Sequence, residues 1–365
     1  MQVVICADVH LDGKTTVTKQ EERNCFLGVI KQVQETGASL LLIAGDLVEA
    51  DRVTEDTVQF LMQAFQMIPD KYIFIAPGNN DPATHNSIYV KEEWPENVFI
   101  FTGNLEAVEL ALPESGEQVR IYGSNYRSPS GVAQILSPEN FPELDPSYIN
   151  VLLLHGVPEP ETLDRCGFDF CALGHVHNFS GVVTLGQTAY AYPGPCQGRG
   201  FGQTGGILVG SLVKGGQHLT LADIATCHYR EVTLDVSPFE TQEAILENIF
   251  SHFTQTKDHY RLTLTGKLQH SGQFSLTKLR EDLANRYTHI EVRGRFSRNT
   301  QEARPFVSGE FSDYVLKEAQ SREGLEDTDP ELLRLATEYA LCVCPENETT
   351  PEEILTREEF PAYED

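Results

Sequence analysis

Residues 39–47 read SLLLIAGDL. Leu40–Ile43 are four large apolar residues in a row, with no polar alternation. Such a run reads as a strand buried on both faces. It ends at Gly45, with Asp46 just past it. Upstream, QVVICA (2–7) reads as another strand. Between the two, a helix is expected over about 20–36, with Phe26, Leu27, Ile30 and Val33 on one side and Gly37 as its stop. Downstream, TEDTVQFLMQAFQMI (54–68) reads as a second amphipathic helix ended by Pro69. YIFIAP (72–77) is a third strand. The order strand, helix, strand, helix, strand puts polar residues just beyond strand ends, the edge at which open α/β sheets bind ligands. Taken strand by strand, the pattern favours a doubly wound parallel sheet.

The same theme continues. NVFIF (97–101), EAVEL (106–110) and VRIYG (119–123) are short strands, and SYINVLLLHG (147–156) and FDFCALGHVH (168–177) run from apolar residues into glycine and histidine. GVVTL, TAYAYPG, GGILVGSLV, QHLTLADI and HYREVTLDV then make residues 181–236 strand-rich. This places a main domain over 1–235. A small helix–strand module is expected over 236–295, with helices near 240–253 and 274–286 alternating with YRLTLTGKL and HIEVRGRF. Residues 296–365 form an acidic C-terminal extension with a helix at PELLRLATEYALCV and a looser one from Pro351.

The 365 residues are 40% hydrophobic and 22% charged, as in a soluble globular protein. No apolar run approaches the ~20 residues of a membrane span, and the start MQVVICADVH reads as a strand, not a signal peptide. Eight dispersed cysteines make a poor disulfide framework and suit a reducing cytoplasm. Cys342 and Cys344 form a CxC pair with no second pair nearby. The net charge of −27 should repel a polyanion at long range, which weighs against a sequence-independent DNA clamp. It does not exclude a nuclease, because bound divalent ions reverse the local field.

The chemistry lies in five clusters after apolar strand runs. Asp8 and His10 stand in DVH, Asp46 in GDL, Asn79 in GNND, His155 in LLLHG, and His175 and His177 in GHVH. Singly each is weak: an Asp after a strand often caps a helix, and a lone His is usually packed or hydrogen-bonded. Together they put N and O donors repeatedly on one edge. In an extended segment residues i and i+2 point the same way, so Asp8 and His10 are expected to reach one centre, and His175 and His177 likewise. The set has too many histidines for calcium and too few thiolates for structural zinc. Seven ligands suit two ions sharing one carboxylate, a pair that clamps a phosphoryl group and activates water.

The order DVH, GDL, GNND, HG, GHVH resembles that of the calcineurin-like metallophosphoesterases. That resemblance implies a four-layer fold, a two-sheet β-sandwich flanked by helices with a small α+β cap domain, and not a doubly wound sheet. It implies one metal on Asp8, His10, Asp46 and His177, a second on Asp46, Asn79, His155 and His175, and a metal-activated hydroxide attacking phosphorus. Over residues 1–235, MQVVICADVHLDG, VRIYGSNY and TAYAYPGPCQGRGFGQTGG are similar to the bacterial SbcD-like and YhaO-like branch of DNA repair exonucleases. The 236–295 module resembles that branch's cap less specifically. This branch implies a DNA substrate, a homodimer, an SbcC-like ATPase partner and two divalent ions, manganese first, with iron, zinc or magnesium as alternatives.

One position departs. The family pattern GNHD has a histidine that contacts the scissile phosphate, with the following Asp orienting it; here Asn80 stands in its place and Asp81 is kept. An amide can bond a phosphate oxygen but cannot deliver a proton. Reduced activity on poor leaving groups is expected, with His85 as the substitute acid. Arg127 and Arg199 are candidate phosphate contacts. Lys14 carries no reading, and Trp94 reads as a loop anchor. A small-molecule phosphodiesterase or phosphatase, or a weakly active scaffold subunit, are the rival functions.

Overall fold

The computed structural model describes residues 1–298, except 114, 138–142 and 269–273, together with Lys317. The expected C-terminal helices and the CxC pair lie outside the described residues. The chain divides into two compact units. The first comprises Met1–Glu231, Gln255–Arg261 and Tyr287–Ile290; the second comprises Val232–Thr254, Leu262–Arg286 and the described residues from Glu291.

The first unit holds β1 (Gln2–Cys6), α1 (Lys19–Thr36), β2 (Leu40–Ile43), α2 (Glu55–Gln66), β3 (Tyr72–Ile75), α3 (Ile88–Lys91), β4 (Val98–Ile100), β5 (Glu106–Ala111) and β6 (Gln118–Gly123). These are followed by α4 (Pro129–Ile135), β7 (Ile149–His155), α5 (Pro160–Cys166), β8 (Phe170–Gly174), β9 (Val183–Leu185), β10 (Thr188–Ala191), β11 (Ile207–Val213) and β12 (Gly216–Ala222). One six-stranded sheet runs β12-β11-β1-β2-β3-β4 and a second runs β5-β6-β7-β8-β10-β9. β1 to β4 are parallel, with Val4 opposite Leu41 and Leu41 opposite Ile73, and β11 adds antiparallel to β1.

Alternate side chains settle the layering. Val3, Ile5, Leu40, Leu42 and Phe74 share one core with Val119, Ile121, Val151, Leu153 and Phe170 of the other sheet. On the opposite face of the first sheet, Val4, Leu41, Ile43 and Ile75 pack against Phe26, Val29, Ile30, Leu61 and Phe65 of α1 and α2. Tyr122, Leu152, Leu154 and Leu173 pack against Val132, Ile135 and Leu163 of α4 and α5. The result is the expected two-sheet sandwich flanked by helices, and the doubly wound reading is corrected. A run such as Leu40–Ile43 is buried on both faces in either architecture; what lies on its second face is set by residues far away in sequence.

α1 begins at a capping box in which the Thr18 hydroxyl accepts from Glu21 N–H and the Glu21 carboxylate accepts from Thr18 N–H. It ends at Gly37 with φ 64°, a left-handed stop open to glycine. Phe26, Ile30 and Val33 are fully buried and Leu27 partly so.

The second unit is α+β, with α6 (Gln242–His252) and α7 (Leu276–Ala284). Ile245, Ile249, Leu262, Leu264, Leu279 and Leu283 are buried there. β13 (Tyr229–Asp235), β14 (His259–Leu268) and β15 (His289–Arg298) form a three-stranded sheet in that order, with their first residues in the first unit.

Candidate metal centre

Asp8 follows β1, Asp46 follows β2 and Asn79 follows β3 in the first sheet. His155 is the last residue of β7, and His175 and His177 follow β8 in the second. The loops are tied together by backbone bonds, Asp8 N–H to Gly45 O at 3.0 Å and His10 N–H to Asp46 O at 2.8 Å. The His175 N–H lies 3.1 and 3.2 Å from the two Asp8 carboxylate oxygens, which links the two sheets. Gly78 lets the third loop approach, since a Cβ there would lie 2.2 Å from Asp46 Oδ1. The convergence does not come from extended backbone, as the i, i+2 spacing had suggested. Asp8, His10, Asp46 and His175 have φ of 51°, 52°, 51° and 93°, the left-handed region that non-glycine residues avoid. Sharp turns, not a pleat, aim these side chains.

Asp8, His10 and His177 form one group whose ligand atoms lie within 4.8 Å of one another; Asp8, Asp46 and His155 form another. His10 Nε2 is 3.2 Å from His177 Nε2, and His177 Nε2 is 3.6 Å from Asp8 Oδ1. Asp46 Oδ2 lies between the groups, 3.7 Å from His10 Nε2 and 3.4 Å from His155 Nε2. Asn79 Oδ1 is 3.0 Å from His155 Nε2 and 2.8 Å from His175 Nδ1. All seven expected ligands thus join one cluster.

The donor set fits divalent cations. His155 Nδ1 faces Ala44 O at 2.8 Å, so it carries the proton and leaves the Nε2 lone pair toward Asn79 Oδ1 and Asp46 Oδ2. His10 Nδ1 faces Glu49 Oε1 at 2.9 Å, which leaves its Nε2 lone pair toward His177 and Asp46. Lone pairs facing lone pairs at these distances, with two fully buried carboxylates, call for a cation between them. A histidine whose far nitrogen is held by a carbonyl or carboxylate is the usual arrangement of a metal ligand.

Residues 1–179 match the family model of the calcineurin-like phosphoesterases. The match covers just under half of the chain and includes all seven clustered residues. A protein of Bacillus subtilis (strain 168) named as the uncharacterized metallophosphoesterase YhaO is 24% identical over 278 residues, covering 69% of this chain and 67% of the relative. The family match and the ligand cluster together support a metal-dependent phosphoester hydrolase. No described helix is long and apolar enough to cross a membrane.

Burial and then the Arg199 charge push His10 down to about 3, so its ring is neutral and ready to ligate. Burial pushes Asp46 up to about 7, opposed by the Asn80 N–H and reinforced by Asp8. Burial lowers His175, whereas the bond to Asp8 raises His177. The burial and the neighbouring Asp8 charge that raise Asp46 are relieved by a metal cation as they are by a proton.

The candidate catalytic and substrate residues around the ligands are placed differently from expectation. The Asn80 side chain donates from Nδ2 to Asp46 Oδ2 at 2.8 Å, and its N–H donates to Asp46 Oδ1 at 2.8 Å; it holds a ligand instead of reaching for phosphate. Asp81 does not orient its neighbour. Buried at 1% exposure, it accepts from the N–H groups of Gly78, Asp46, Leu47 and Val48 and from the Tyr89 hydroxyl, which locks the two ligand loops together. His85 is exposed and, among the described residues, bonds to no member of the cluster. Arg127 is exposed beside Tyr126, and it is Tyr126 that meets the ligands: its ring stacks on His175 with centroids 6.5 Å apart and meets His155 edge-on. Arg199 donates to Glu49 Oε1 at 3.3 Å, the same oxygen that holds His10. Trp94 packs on Phe65 and Tyr89 as a loop anchor should. Sequence reading missed Glu49, Tyr126 and Gln203, whose Nε2 lies 3.3 Å from His177 Nδ1. The signal for Glu49 was its place three residues past Asp46; nothing local marks the other two.

Proposed function

We propose that this phosphoesterase is a DNA nuclease working with two divalent ions, manganese being the expected metal. The observation that carries the two-ion reading is the position of Asp46 Oδ2, within 3.7 Å of His10 Nε2 on one side and 3.4 Å of His155 Nε2 on the other. Bound there, two ions supply Lewis acidity to the phosphoryl group and to the attacking water. The chain's own residues hold and aim. His10, His155, His175 and His177 offer nitrogens fixed in tautomer or orientation, while Asp8 and Asp46 supply charge. Asn80 keeps Asp46 turned between the two groups. Among the described residues no imidazole outside the ligand set bonds into the cluster, so departure of the leaving oxygen proceeds without a side-chain acid at position 80.

DNA as substrate rests on the similarity of three segments to repair exonucleases. The second reading, hydrolysis of a small phosphodiester, is favoured by the net charge of −27. Purified protein with manganese should degrade double-stranded DNA as well as bis(p-nitrophenyl) phosphate. Hydrolysis of the chromogenic diester with no cleavage or binding of DNA selects the small-substrate reading.

A further inference from the structure

Beside the metal centre the first unit has an open cleft of about 580 Å³, lined by Lys14, Thr15, Thr16, Arg52, Arg199 and Tyr229 together with Gly13. Resting on the nuclease reading, we propose that this cleft binds a second phosphate of the substrate, next to the one cleaved.

The lining runs against the composition of the chain. There are 54 acidic and 27 basic residues overall, yet three cations and no carboxylate line this cleft. Its cations are held in different ways. Arg52 is fixed by its Nε bond to Asp12 O at 2.8 Å. Arg199 lies flat against the loop because position 13 is glycine; a Cβ there would sit 2.1 Å from its Nη2. Its Nη1 is engaged by Glu49, but its buried Nε has no acceptor among the described residues. Lys14 is exposed, and among the described residues no group bonds to its ammonium. The far wall is set by Tyr229, whose hydroxyl meets Thr16 Oγ1 at 2.7 Å and whose ring stacks on His259 at 4.3 Å. Fixed guanidinium groups with a mobile ammonium and hydroxyls suit a phosphate.

The cleft is continuous with the catalytic loop. Gly13 N–H bonds to His10 O at 3.1 Å, and Glu49 touches both His10 and Arg199. A substrate that places its scissile phosphate at the ligand cluster would then carry a neighbouring phosphate along the loop between His10 and Gly13 into the cleft.

The test compares the dinucleotide thymidylyl-thymidine with its 5′- and 3′-phosphorylated forms, which share the scissile bond and differ by one phosphate. At fixed ionic strength, one phosphorylated form should show a KM about fivefold lower than the unphosphorylated dinucleotide, as expected for charge-assisted contacts partly open to solvent. In Lys14→Ala combined with Arg52→Gln this preference should fall to near one, while Lys31→Ala, a charge on α1 paired with Glu35, should keep it. Equal KM values in the wild type, or a preference unchanged in the double variant, overturns the proposal. If no dinucleotide is hydrolysed, cleavage of double-stranded DNA decides the nuclease reading, and calorimetry with inorganic phosphate tests the cleft by itself. Binding lost in the double variant supports an anion subsite there; equal or absent binding overturns it. Phosphate binding without any KM preference among hydrolysed dinucleotides assigns the cleft to a free anion and overturns the substrate role.

Discussion

Asn80 gives Asp46 two hydrogen bonds, one from its side chain and one from its backbone. Asn80→Ala removes the first and should weaken metal binding about tenfold, the lower end for loss of a group that orients a ligand; competition with a fluorescent chelator measures it. Asn80→His restores a group able to protonate an alkoxide. It should raise the saturating rate on DNA at least about tenfold, a cautious part of the ~10²–10⁴ range of general acids, and change hydrolysis of a nitrophenyl diester much less, because nitrophenolate departs unprotonated. Equal changes on both substrates would remove the acid from the explanation. Asp81 is a different case: its carboxylate accepts from four backbone N–H groups and a hydroxyl. Asp81→Ala leaves those buried donors without an acceptor and should cost about 3 kcal/mol, read from urea unfolding of metal-stripped protein. A variant that keeps its stability and loses only turnover would restore a catalytic role. The seven candidate ligands were legible because Asp, Asn or His recurs after five of the apolar strand runs. The way they converge was not, since Asp8, His10 and Asp46 sit in left-handed turns that no local pattern announces.

Among the elements, α1 carries a buried acid in its first turn. Glu22 accepts from Asp12 N–H at 3.0 Å, yet burial pushes its pKa from 4.5 to about 7. The folded state therefore holds this proton more tightly than the unfolded chain. The resulting stability is fully present below about 4.5 and is lost as pH rises through about 7. Glu22→Gln can still accept from Asp12 and carries no charge. Its Tm relative to the wild type should rise between pH 5 and pH 8 on a scan with steps of about half a unit, and a constant difference would exclude Glu22 as the cause. α1 and α2 were legible from periodicity, and Gly37 from the stop it makes. α4 and α5 were not: each has seven residues, too short for a helical period to stand out in a window of about 11–18.

At the scale of the molecule, sheet membership is what local pattern could not supply. Leu40 and Leu42 face the second sheet while Leu41 and Ile43 face helices, and all four are leucine or isoleucine. Motif order across the first 179 residues carried that information, because it depends on all the strand ends meeting at one place. At the same meeting point Asp46 Oδ2 stands where two metal sites would share it. Counting manganese ions bound per chain in the wild type, Asp46→Asn and His10→Ala tests that sharing most directly. Two ions are expected in the wild type, with weakened binding at both sites in Asp46→Asn and one site largely kept in His10→Ala. Fewer than one ion in the wild type, or two tight sites surviving in Asp46→Asn, would contradict it.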